Sequence, residues 1–125
     1  MPWQYDQSSG EMRRPDGSLL GTSYSGQLGA GRNNAEMESV PFVGPIPQGQ
    51  YSIGAPRKSG TKPHVLDLTP VGHIAYGRTE FMIHGGIPAG QPGSGDASAG
   101  CIILSPIGLR QEISNSGDNV LEVVP

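Results

Sequence analysis

Apolar and polar residues alternate in short stretches, and turn residues separate those stretches. Trp3 to Asp6 alternates large apolar with polar groups, the period of a strand with one buried face. Arg14-Pro15-Asp16-Gly17 has turn composition, since Pro presets φ and Gly supplies φ > 0; it predicts a hairpin between Glu11–Arg13 and Ser18–Leu20. Thr22 to Ser25 predicts a further strand, and Asn33 or Asn34 is placed to cap a short helix over Ala35–Ser39. From Val43 to Gly54 two prolines hold the chain extended, Gly49 turns it, and Tyr51 and Ile53 share one strand face. A polar loop with Arg57, Lys58 and Lys62 follows. His64 to Thr69 predicts a strand with Leu66 and Leu68 on one face. Glu80 to His84 predicts another, with Phe81 and Ile83 on one face and Met82 and His84 on the other. Cys101-Ile102-Ile103-Leu104 is continuously apolar, the pattern of a strand buried on both sides. Ser105 is placed as the N-cap and Pro106 as the first residue of a helix to about Ser114, with Leu109 and Ile113 on one face, and Asn119 to Val124 predicts a last strand. These elements predict one mainly β domain over residues 1–125, with one or two short helices and long loops, the longest from Gly85 to Gly100.

Composition tests that picture. Of 125 residues, 20 are glycine and 12 proline, enough to raise disorder as a reading. A net charge of -3 with 15% charged residues lacks the charge excess that keeps chains unfolded, so the count predicts a turn-rich folded domain. Near-balance of acidic and basic residues argues against a nucleic-acid partner, and the lack of a long apolar run against a membrane span. Met1-Pro2-Trp3-Gln4-Tyr5-Asp6 has neither the basic nor the apolar region of a secretory signal peptide. The single cysteine, Cys101, excludes an internal disulfide.

A lone cysteine reads first as a small buried hydrophobe, and a lone histidine at a strand end as a satisfied one. Here the two occur together. His84 ends one strand, and Cys101 opens the next after a glycine-rich loop. Adjacent strand ends bring an imidazole and a thiol together, and a neighbouring base yields the thiolate, which is the nucleophile. Gly100 lets backbone N–H groups near Cys101 face a developing oxyanion, and Ser98 and Gly85 are supporting candidates. The histidines His64, His73 and His84 are too evenly spread for a zinc pattern, and neither a metal nor a cofactor is expected.

His84-Gly85 followed by Ser98-Ala99-Gly100-Cys101 resembles the signature of YkuD-like L,D-transpeptidases, which remodel bacterial peptidoglycan. Upstream, Gly44-Pro45-Ile46-Pro47-Gln48-Gly49-Gln50-Tyr51-Ser52-Ile53 resembles another segment of that fold. The chain is most similar to the small L,D-transpeptidase effectors of type VI secretion systems. The likeness runs through Trp3 to Ser8, Tyr24 to Gly26, Asn33-Asn34, Gly44 to Tyr51 and Leu68 to His73, nearly the whole chain. Two positions depart from the family pattern. Ala99 stands where many members have a histidine, and Ile103 where many have an arginine. Arg78, Arg57, Lys58 and Lys62 are candidates to hold substrate carboxylates in its place, although each taken alone reads as a solvated surface charge.

The resemblance implies an L,D-transpeptidase-like β-sandwich whose catalytic residues are Cys101 and His84. Its reaction is acyl transfer on tetrapeptide stems, as L,D-carboxypeptidase or L,D-transpeptidase exchange. His73, Arg78 and Tyr24 are its candidate substrate-binding residues, Tyr24 a weaker one alongside Asp67, with roles in the fold open for both. It implies peptidoglycan stem peptides, a cognate immunity protein and secretion-apparatus components as partners, with secretion to the periplasm of a target bacterium and no signal peptide. The residues leave open a non-catalytic cell-wall binding module and a secretion-apparatus cargo or adaptor protein.

Overall fold

The computed structural model describes residues 2–26, 31–41, 43–59, 62–86 and 100–125. The expected loop after Gly85, with Ser98, lies outside the described residues except at its two ends. Ten strands are described: β1 (Trp3–Asp6), β2 (Glu11–Arg13), β3 (Leu19–Thr22), β4 (Tyr24–Ser25), β5 (Gly49–Ile53), β6 (Arg57–Ser59), β7 (Lys62–Val71), β8 (Phe81–His84), β9 (Ile102–Ile103) and β10 (Val120–Val124). One α-helix, α1 (Ile107–Asn115), and two 3-10 turns, Ala35–Met37 and Ala75–Gly77, complete the described elements. The mainly β expectation holds. The chain stretch around Arg57, expected as a loop, instead forms β6 against the first half of β7.

The sheet runs β3-β2-β1-β10-β5-β7-β8-β9-β4, with β6 pairing β7. Its two edge strands, β3 and β4, are separated in sequence by Ser23 alone. The sheet must therefore curl until its edges meet, and it is nearly closed. Ser23 marks the join, its N–H and hydroxyl both donating to the Gly10 carbonyl (2.7 and 2.9 Å). Inside the curl the alternating residues form one core: Trp3 and Tyr5 of β1 sit opposite Leu121 and Val123 of β10, and Tyr51, Leu66, Leu68, Phe81, Ile83 and Ile102 continue the row. Ile113 of α1 joins that core.

Helix α1 starts later than expected. Its N-cap is Pro106, and Ser105 caps nothing. The Ser105 hydroxyl is used instead on Gly86, donating to its carbonyl (3.0 Å) and accepting from its N–H (3.1 Å). The Asn34 cap is as expected, with its side chain accepting from the Glu36 N–H.

The segment Gly44–Pro47 is buried yet belongs to no strand. Proline has no N–H for a sheet ladder, so the segment's polar groups need side-chain partners. Ile46 N–H donates to Ser25 Oγ (2.8 Å), Gln7 Nε2 donates to the Ile46 carbonyl (2.9 Å), and the Tyr51 hydroxyl donates to the Pro47 carbonyl (2.8 Å). Glu38 accepts from the N–H of Gln48 (2.8 Å). Residues scattered from Gln7 to Tyr51 thus converge on one proline-rich segment.

Candidate active site

β8 and β9 are parallel neighbours, with Ile83 opposite Ile102 and His84 opposite Ile103. Parallel neighbours need a crossover of a dozen or more residues, which is the physical reason for the wide His84–Cys101 separation. In long parallel strands the end of one and the start of the next lie at opposite ends of the sheet, a strand's length apart. Here the strands are four and two residues long. The end of β8 and the residue preceding β9 are therefore offset by only two positions along the strands.

Side-chain alternation then sorts the two faces. Phe81, Ile83 and Ile102 point into the core. His84, Met82 and Ile103 take the other face, as does Cys101 when the alternation of β9 is continued back one residue. Cys101 and His84 stand on a diagonal of that face, with Cα atoms about 8 Å apart for ideal strand spacing. The same face carries Val65 and Asp67 of β7, Arg57 of β6 and Tyr24 of β4, since Asp67 pairs with Met82, Arg57 with Val65, and Tyr24 with Ile103.

His84 is buried, and its Nδ1 lies 2.8 Å from the Gly85 carbonyl. Only an N–H can donate to a carbonyl, so the contact assigns the proton to Nδ1 and leaves Nε2 as the basic nitrogen of the neutral ring. Gly85 also lies under the Arg110 guanidinium, where a Cβ would meet Nη1 at 2.8 Å. Arg110, which the sequence reading passed over, donates to the carbonyls of Leu104 (2.6 Å), His64 (2.9 Å) and Pro63 (3.2 Å). It ties α1 to β7 and to the strand end that carries His84.

Cys101 is half-buried, and its Sγ lies 3.6 Å from the Glu80 carbonyl. It is preceded by Gly100 at φ +123, whose carbonyl accepts from the Ser25 hydroxyl (3.1 Å). Ser25 thus links the approach to Cys101 with the Ile46 N–H.

Arg78, one of the residues read as a surface charge when taken alone, is buried at 7% exposure. Its Nη1 donates to the carbonyls of Glu38 (2.6 Å) and Pro45 (2.7 Å), and its Nη2 to that of Gly44 (3.0 Å). A Cβ on Gly100 would meet Nη2 at 2.6 Å. Burial lowers its pKa from the ordinary arginine value, while Tyr51, Cys101 and Glu38 act in the opposite direction. Arg78 therefore clamps the proline-rich segment against the residues leading to Cys101, with its charge felt at the thiol. The sharpest local consequence is at Gly100. A side chain there is opposed by both a positive φ and a guanidinium that three carbonyls hold still. Gly100→Ala is expected to destabilise the fold by at least about 2 kcal/mol, read as a lower urea midpoint with unchanged slope.

The remaining candidates separate. Tyr24 is buried on the face of His84, with the Arg32 guanidinium 3.9 Å over its ring, a cation–π contact that the sequence reading passed over. Burial raises the Tyr24 phenol's pKa, and Arg32 opposes the shift. His73 is placed elsewhere. It accepts at Nδ1 from the Ala75 N–H (3.2 Å), so Nε2 carries the proton and donates to the Gln50 carbonyl (2.9 Å). Its ring meets the Tyr51 ring edge-on at 5.1 Å and fills the space over Gly49. Those contacts fasten the turn after β7 to β5. His64 contacts Ser114 of α1 through Nε2 (2.7 Å). Lys58 is exposed on β6. Ser98 and Ala99 lie outside the described residues. No cluster of three or more His, Cys, Asp or Glu side chains suited to a metal occurs among the described residues.

The sequence model of the Tlde1 domain matches residues 21–123. The chain belongs to the Tlde1 domain family. That family comprises type VI secretion L,D-transpeptidase effectors, so the match supports an effector with L,D-transpeptidase-related activity directed at the cell wall. No curated protein and no solved structure matches the chain. Within this Tlde1 domain, the matched span contains β4 to β9 entire, and with them Tyr24, Arg57, Asp67, Met82, His84 and Cys101. None of its described helices is long and apolar enough to cross a membrane.

Proposed function

We propose that the chain is a cysteine-dependent acyltransferase acting on peptidoglycan tetrapeptide stems. What supports this reading is the register of β8 and β9, in which His84 ends one strand and Cys101 stands just before its parallel neighbour, offset by two positions.

His84 Nε2 takes the thiol proton, and the Cys101 sulfur attacks the carbonyl carbon at the L-centre of the third stem residue, meso-diaminopimelate. A C–S bond forms and the carbonyl oxygen becomes an oxyanion, stabilised by backbone N–H groups beside Cys101. The oxyanion collapses, the C–N bond to D-alanine breaks, and the imidazolium returns its proton to the leaving amine. Water cleaves the resulting thioester in a carboxypeptidase cycle, and an amine does so in transpeptidation or D-amino-acid exchange. Arg78 contributes a fixed positive charge near the thiolate. Gly100 and Gly85 set the backbone at the nucleophile and the base, with Ser98 a supporting group and Tyr24 a wall residue on the same face. The effector reading places the reaction in the periplasm of a target bacterium and gives the producer a need for a cognate immunity protein that covers this face.

Purified protein incubated with tetrapeptide muropeptides is expected to release D-alanine and leave tripeptides, or exchanged stems when a D-amino acid is added. Mass spectrometry reads both. Muropeptides unchanged after prolonged incubation would sink the reading.

A further inference from the structure

An exposed ion pair stabilises a fold little, so one held in bidentate geometry beside a candidate nucleophile calls for another explanation. Arg57 and Asp67 form such a pair. Arg57 Nε reaches Asp67 Oδ2 at 2.6 Å, and Nη2 reaches Oδ1 at 2.9 Å. Arg57 Nη2 also lies 3.6 Å from the Met82 sulfur. The sheet register puts all three on the face of Cys101, with Asp67 opposite Met82 on β8 and Met82 level with Cys101. Side-chain exposure of 47% and 43% leaves both charges open to a ligand.

We propose that Arg57 and Asp67 together form a subsite for an amino-acid zwitterion, the free ammonium and carboxylate at the distal D-centre of a diamino-acid stem. The proposal rests on the acyl-transfer reading above and names the residues that would set its specificity. Arg57 binds the carboxylate through Nη1 and Nη2, the edge that a guanidinium presents to planar anions. Asp67, held ionised by Arg57, accepts from the ammonium. The ligand brings one charge of each sign to a pair with one of each, so no charge is left without a partner. A lysine stem supplies only the ammonium, and a stem amidated at the D-centre supplies only a neutral amide in place of the carboxylate. Either leaves Arg57 unmatched, and that is how the site discriminates.

The reach agrees. From the reacting carbonyl carbon to the distal amino-acid carbon of diaminopimelate there are five carbon–carbon bonds, about 6 Å when extended. Met82 lies one strand spacing from Cys101, about 4.8 Å, and the guanidinium lies against Met82. A stem with its carbonyl at Cys101 and its side chain across Met82 delivers its zwitterionic head to Arg57 and Asp67.

The test uses the full chain carrying Cys101→Ala, so that binding is read without turnover. Calorimetric titration with three tetrapeptides, bearing meso-diaminopimelate, its D-centre amide or lysine, is expected to show at least tenfold tighter binding of the first. Adding Arg57→Gln or Asp67→Asn is expected to bring the first down to the level of the other two. Arg14→Gln, which removes an exposed ion pair with Glu112 elsewhere on the surface, is expected to change nothing. Melting curves check that each variant is folded. Equal binding of the three peptides, binding of none, or discrimination that survives both substitutions overturns the subsite. With Cys101 restored, Arg57→Gln is expected to raise KM and spare kcat. Discrimination that depends on Arg57 without any product from the wild-type protein would leave the subsite standing and remove the reaction. Product whose selectivity ignores Arg57 and Asp67 would do the reverse.

Discussion

Cys101→Ala is expected to reduce D-alanine release from tetrapeptide muropeptides by at least roughly a thousandfold, because the attacking atom is removed and no other cysteine exists to replace it. The fold is expected to survive. Cys101 is half-buried, and the interaction of its Sγ with the Glu80 carbonyl is a weak sulfur hydrogen bond. Circular dichroism and the urea midpoint should therefore match those of the wild type, which separates a chemical defect from an unfolded one. His84→Gln should also depress kcat, by about 10²–10⁴, since the amide fills part of the same space without a basic nitrogen. Expression in the periplasm of a susceptible bacterium gives the same comparison in cells. Lysis by the wild type and normal growth with Cys101→Ala is the expected pair of results. Equal turnover by the two proteins removes Cys101 from the mechanism.

Arg78→Met is expected to cost about 3–5 kcal/mol. The buried carbonyls of Gly44 and Pro45 and the half-buried one of Glu38 lose their donor, at about 1–3 kcal/mol for each buried group left unsatisfied and less for Glu38, which water reaches. Methionine retains much of the side-chain volume, so the substitution isolates the guanidinium rather than a cavity. Domains of this size have about 5–15 kcal/mol of stability in all, so the urea midpoint should fall sharply and the melting temperature by roughly 10 °C or more. Arg78→Lys should be intermediate, since one ammonium cannot reproduce the planar fork that spans three carbonyls. A midpoint within error of the wild type would show that the clamp does not hold the proline-rich segment.

Local pattern was enough for most elements. The alternation of Trp3 to Asp6, the turn at Pro15 to Gly17, the shared face of Tyr51 and Ile53 and the period of Phe81 to His84 each appear in the structure as read. These features depend on neighbours a few residues apart, which a sequence states directly. Arg57 to Ser59 failed the same reading because its strand character comes from pairing with Val65 and Lys62, not from its own polar composition. Ser105 looked like a helix cap because nothing local shows that its hydroxyl reaches Gly86 across the fold.

The sequence by itself was sufficient to single out His84 and Cys101, because their chemistry is carried by residue type and their glycine neighbours flag tight backbone. Tertiary structure alone decided what surrounds them. Parallel pairing of two very short strands put the residue before β9 only two positions from the end of β8, and the curl of the sheet through Ser23 brought Tyr24 opposite Ile103. Burial turned Arg78 from an apparent surface charge into a clamp, and two ring hydrogen bonds tied His73 to β5 and the turn after β7. The physical reason is common to all of these. A side chain's charge and reach are local properties, whereas its partners are fixed by long-range register and burial, which arise only when distant segments close on one another.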